Sequence, residues 1–153
     1  MSSESSNMEL HSSSIYWLGR LATQMQEAFN GAVAQYGVSW AQWMVLNAVY
    51  YERAKTPAQI AQHIGVDRSA ITRLVDRLEA KGLVERSREN ADRRSINIEL
   101  TTKGKNLIPS LLESAKSHEK QFIELLDERE KSNFFRGLSV LLAATGNDDT
   151  PFH

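Results

Sequence analysis

The stretch from Thr56 to Leu100, TPAQIAQHIGVDRSAITRLVDRLEAKGLVERSRENADRRSINIEL, decides the fold. Thr56 and Gln59 stand at capping-box spacing and Pro57 occupies the first helical position, so a short helix is predicted to Ile64. Gly65 stops it, Val66 fills the turn, and Asp67 or Ser69 can cap a second helix over about Arg68 to Lys81. In that helix Ile71, Leu74, Val75 and Leu78 recur at i, i+3, i+4 and i+7 and give one apolar stripe. Arg68, Ser69, Thr72, Arg73, Asp76 and Arg77 fall on the other side. Two short helices joined by a Gly-containing turn match a helix-turn-helix. An anchored helix presenting hydroxyls and guanidiniums is suited to the major groove of DNA, although a solvated amphipathic helix has the same pattern.

Lys81–Gly82 ends this helix, Leu83 to Arg86 reads as a strand, and Ile96, Ile98 and Leu100 alternate with Asn97 and Glu99 as a second. Between the strands lies SRENADRRS, too polar to bury. Arg88, Arg93 and Arg94 at such a hairpin tip suit the narrow, electronegative minor groove. The charge distribution agrees. From Arg68 to Lys105 there are ten Lys and Arg against six Asp and Glu, a local +4 inside a chain of net charge −1.

Composition narrows the classes. The 41% hydrophobic and 24% charged fractions fit an ordinary globular chain of 153 residues, and no apolar run approaches a membrane span. The opening MSSESSNMELHSSS has neither the basic nor the apolar region of a secretory signal; a disordered lead-in over 1–12 and a cytoplasmic location are expected. Absence of cysteine removes disulfides, thiolate metal sites and thiol switches. His11, His63, His118 and His153 lack the i, i+4 spacing of a helical metal pair, so no metal or other cofactor is expected. TTKGK at 101–105 is not a P-loop, and no nucleophile–His–acid set appears, so no enzymatic activity is expected.

The flanks are helical. A first helix over 13–37 begins at the Ser12–Ser14 cluster and stops at Gly37, with Leu18, Leu21, Met25, Phe29 and Val33 on its period. A helix from Ser39 to about Tyr51 follows, with Ser39 and Gln42 at capping-box spacing. Its Trp40, Trp43 and Met44 either fill the core or wall a pocket for a flat ligand. Thr101 or Thr102 caps a long helix through Leu126 that contains Pro109; a last helix spans about Asp127 to Thr145, and 147–153 form a frayed tail. The fold class is mainly α with a small β-hairpin. A winged helix-turn-helix over 38–100 lies between terminal helices, 13–37 and 101–146, whose surplus apolar surface calls for a homodimer.

IAQHIGVDRSAITRLVDRLEAKGLVER followed by ADRRSINIELTTKG resembles the MarR family of transcription regulators. The likeness rests on a recognition helix, a Lys-Gly-Leu-Val turn, an Asp-x-Arg wing and a Leu-Thr-x-x-Gly helix opening in that order. The resemblance implies a homodimeric repressor on an inverted-repeat operator, released by a small aromatic or anionic ligand. It implies groove-facing roles for Ser69, Ala70, Thr72 and Arg73, phosphate contacts for Arg68 and Arg77, a backbone contact for Arg93, and a minor-groove Arg94 oriented by Asp92. Trp17, Arg20, Trp40, Trp43 and Met44 are the effector-site candidates, with Arg20 pairing a carboxylate. A metal-responsive regulator of the same fold and a winged-helix protein-interaction module are the alternatives.

Overall fold

The computed structural model describes residues 9–88 and 95–146. The helices are α1 (Ser14–Val33), α2 (Trp40–Tyr50), α3 (Pro57–Ile64), α4 (Arg68–Ala80), α5 (Thr102–Ile123) and α6 (Glu128–Ala144). Strands β1 (Val84–Ser87) and β2 (Asn97–Leu100) pair antiparallel between α4 and α5, with Val84 opposite Leu100 and Arg86 opposite Ile98. The chain divides into two compact units between Ser114 and Ala115, within α5. No helix among the described residues is long and apolar enough to cross a membrane.

Capping chemistry sets the boundaries. Ser39 and Thr56 each form the expected capping box, with Gln42 and Gln59 respectively. α1 passes into a 3-10 turn, Ala34–Tyr36, before Gly37 ends it at φ 67°. Residues 1–8 of the disordered lead-in expected over 1–12 lie outside the described residues; Leu10–Ser12 form a 3-10 turn whose His11 carbonyl accepts a 2.8 Å bond from Trp17 Nε1. α5 stops at Ile123 rather than Leu126. Asp127 forms a capping box with Glu130 (2.8 Å each way), which requires a non-helical residue at 127 and starts α6 at Glu128.

The first strand lies one residue later than the sequence pattern places it. Gly82, at φ 70°, donates to Glu79 O (2.9 Å) and Leu83 N–H to Leu78 O (3.0 Å), so Leu83 closes a Schellman stop on α4 instead of opening the strand. At the helix start, by contrast, neither expected cap operates: Asp67 is the N-cap residue, but its side chain makes no capping bond.

One core holds the first unit together. Phe29 and Val33 of α1, Val45 and Leu46 of α2, Ile60 of α3, and Ile71, Val75 and Leu78 of α4 are buried with Val84, Ile98, Ile108 and Leu111. Two backbone ties complete it. Ile98 N donates to Lys55 O (2.8 Å), which attaches β2 to the loop before α3. Thr101 N donates to Leu83 O (3.1 Å), and Thr101 Oγ1 donates to Gly82 O (2.6 Å) while accepting from Gly104 N (3.0 Å).

Gly104 explains why that helix opening has no side chain at its third residue. A Cβ there would lie 2.1 Å from the Leu83 carbonyl oxygen. Gly104→Ala is therefore expected to cost roughly 1–3 kcal/mol by overpacking. Gly31→Ala, with nothing within 4 Å of the new Cβ, should instead gain about 0.5–1 kcal/mol of helix stability. Thermal denaturation of the two variants checks both signs.

Candidate nucleic-acid interface

The buried stripe of α4 determines what its other side offers. Ile71, Val75 and Leu78 are buried and Leu74 is half-buried, while Arg68, Ser69, Thr72, Arg73, Asp76 and Arg77 are exposed. Ala70 is half-buried at the edge. Thr72 Oγ1 donates to Arg68 O at 3.2 Å, which parks the hydroxyl along the helix and leaves its lone pairs outward. Thr72 and Arg73 lie one helical turn before Asp76 and Arg77 and share one flank with them; with Arg68 and Ser69, three arginines and two hydroxyl side chains occupy the exposed side of the helix.

The C-terminal end of that surface is tied to its neighbours. Arg86 of β1 reaches back to α4, NH2 to Asp76 Oδ1 and NH1 to Glu79 Oε1 at 2.9 Å. Lys81, just past the end of α4, donates to the Gly37 carbonyl and to Gln42 Oε1 at 2.8 Å. Gln42 is buried and is also the capping-box residue of α2, so one amide joins the end of α4 to the start of α2. Lys103 Nζ in turn donates to Lys81 O at 2.9 Å. The sequence pattern does not single out Arg86 or Lys81, because neither lies on an outward helical face. The available signal was Asp76 and Glu79 at i, i+3 with an arginine two residues into the next strand. Asp92, Arg93 and Arg94 lie outside the described residues.

The five effector-site residues separate into two groups. Trp43 is buried and Trp40 and Met44 are half-buried; Phe29 lies edge-on to Trp40 (5.2 Å between centroids) and stacked on Trp43 (6.5 Å). Asn30 Oδ1 accepts the Trp40 backbone N–H at 2.7 Å, fixing α2 against α1. Trp17 and Arg20 are exposed on the first half of α1, with the Arg20 guanidinium 5.9 Å from the Tyr16 ring centroid and 6.0 Å from that of Trp17. Twelve residues of α1 separate Trp17 from Phe29, about 18 Å at 1.5 Å per residue. Arg20 lines a hollow of about 480 Å³ with Ile15, Tyr16, Gly19, Thr23, Gln24 and Glu27, and none of the tryptophans lines it. Among the described residues no three His, Asp or Glu side chains converge to hold a metal.

The family model described as "MarR family" matches residues 36–95, the span from the end of α1 to the hairpin. The HTH-type transcriptional repressor MdtR of Bacillus subtilis is 30% identical over 113 residues, covering 74% of this chain and 73% of MdtR. The chain belongs to the MarR family. That is a family of winged-helix transcription regulators, not of enzymes. A further MarR-family likeness is to YfiV, an uncharacterized HTH-type transcriptional regulator of B. subtilis, at 39% identity over 90 residues. That match covers 59% of this chain but only 56% of YfiV's length. Among solved structures, a mutant MarR from E. coli complexed with operator DNA superposes with a TM-score of 0.75 at 26% identity, covering 84% of this chain and 95% of that one.

For this MarR-family chain the aromatic groups make separable predictions. Phe29→Ala removes the ring between Trp40 and Trp43 and is expected to cost about 3–5 kcal/mol, with a red shift of tryptophan emission. Trp17→Phe keeps the exposed cluster apolar and is expected to change stability by under about 0.5 kcal/mol. Denaturant unfolding followed by fluorescence measures both.

Proposed function

We propose that this protein is a cytoplasmic, homodimeric regulator that binds double-stranded operator DNA sequence-specifically and acts as a repressor. The observation that carries the reading is α4: one side is committed to the core, and the other presents Arg68, Arg73 and Arg77 beside Ser69 and Thr72. In this reading Ser69, Ala70, Thr72 and Arg73 face base edges in the major groove, Arg68 and Arg77 hold phosphates, and the hairpin delivers Arg94 to the minor groove, oriented by Asp92, with Arg93 on the backbone.

The dimer is supported by apolar surface that each unit leaves uncovered. Ile15, Trp17, Leu18 and Leu21 of α1 are exposed, and so are Leu125 and, on α6, Phe134, Val140 and Leu141. A second copy covering these side chains makes a two-fold pair, and its two α4 helices read half-sites about one DNA turn apart. Operator release follows if a small aromatic or anionic effector favours a dimer with another α4 spacing. Arg20 supplies the charge for such a ligand at an exposed hollow that it lines with Tyr16, and the Trp17 ring lies beside the same guanidinium, outside the hollow. In this reading Trp40, Trp43 and Met44 act from the core around Phe29, farther along α1.

Counterion release tests the reading. Arg68→Gln and Arg94→Ala, each of which removes two charges from the dimer, should weaken binding across all duplexes and reduce the slope of log K against log salt by about two. The protein alone should sediment as a dimer at micromolar concentration. Unchanged slopes would remove the phosphate and wing assignments, and a monomer would remove the dimer.

A further inference from the structure

We infer that Arg86 is a positioning residue for DNA binding: it acts through Asp76 and Glu79, cancelling two carboxylates on the recognition helix that would otherwise repel the phosphate backbone. The inference rests on the DNA-binding reading of α4 and adds to it a residue outside that helix.

Arg68, Arg73 and Arg77 share α4 with Asp76 and Glu79, a net charge of only +1. Asp76 follows Thr72 by four residues and Arg73 by three, so it stands on the flank assigned to the bases. A free carboxylate there lies well inside the roughly 10 Å over which 0.1 M salt screens charge. A surface of this kind must either omit the acids or neutralise them.

Here they are neutralised from the next element. The Arg86 guanidinium places one nitrogen on each carboxylate, NH2 on Asp76 and NH1 on Glu79. The planar fork suits this better than an ammonium, which offers a single point charge. Arg86 is itself only 28% exposed along its side chain, whereas Asp76 is 59% and Glu79 44% exposed. The cation is therefore tucked under the two acids and is poorly placed to reach a phosphate directly. Ion pairs this exposed contribute little to folding. Their consequence lies in the field that α4 presents to a polyanion.

The test uses the full chain and a duplex that the wild-type protein selects from a random-sequence pool, with binding read by fluorescence anisotropy. Arg86→Gln should bind this duplex and unselected duplexes about tenfold more weakly, with the defect shrinking as salt rises, and with Tm within about 4 °C of wild type. Adding Asp76→Asn and Glu79→Gln to Arg86→Gln should restore affinity to within about threefold of wild type. Asp76→Asn with Glu79→Gln alone should bind at least as tightly as wild type, a result that stands even where Arg86→Gln fails to fold. Failure of the triple variant to recover would mean that Arg86 contacts phosphate itself. A loss of affinity in the Asp76→Asn, Glu79→Gln protein would mean that the bridge is needed for shape alone. Either result, or wild-type affinity in Arg86→Gln, overturns the inference. A wild-type chain that selects no duplex overturns the DNA-binding reading beneath it, which is a different failure.

Discussion

Ile71, Val75 and Leu78 are 0%, 1% and 0% exposed, and that burial fixes the rotation of α4 about its own axis. Each such side chain is worth about 1.5–3 kcal/mol when removed from water. Turning the helix by one residue's 100° would expose them and bury arginine in their place. The outward set is therefore a consequence of the inward one: Arg68, Ser69, Thr72, Arg73, Asp76 and Arg77 face solvent because the core has claimed the remaining side. Any sequence information the helix reads depends on that commitment.

Rotation alone does not place a reading helix, and the rest of the first unit supplies the other restraints. The Schellman stop at Gly82 and Leu83 turns the chain directly from α4 into β1, and the Arg86 bridge returns from β1 to α4. Lys81 ties the end of α4 to Gln42, which also caps α2. At Gly104 the backbone of α5 approaches the Leu83 carbonyl too closely for any side chain, so the long helix starts in contact with the same turn. Four elements thus meet within a few residues of the end of α4. A displacement of the start of α5 or of α2 is therefore felt at the end of α4.

Much of this was legible in the sequence, for identifiable reasons. Capping boxes at Ser39 and Thr56, the glycine stops at Gly37, Gly65 and Gly82, and the period of α4 are local signals, and each appears where local chemistry put it. What the sequence hid was non-local or competitive. Leu83 reads as strand by alternation, but its N–H is taken by Leu78. Asp67 and Ser69 read as caps, yet the Asp67 side chain makes no capping bond. Trp17, Arg20, Trp40, Trp43 and Met44 look like one aromatic site by composition; the length of α1 sets Trp17 and Arg20 apart from the pair packed on Phe29. Arg86 was invisible for a different reason, since its meaning depends on which carboxylates the fold brings to it.

In the proposed reading the exposed flank of α4 reads base sequence as one of a symmetric pair. Selection of bound duplexes from a random pool, run in parallel with wild-type protein and Arg73→Gln, tests it most directly. Wild type should enrich an inverted repeat with half-sites about one helical turn apart, and Arg73→Gln should relax preference at one symmetry-related position in each half at a cost of about 1–3 kcal/mol. Enrichment of the same sites with the same preference by both proteins, or of no repeat by either, would contradict it.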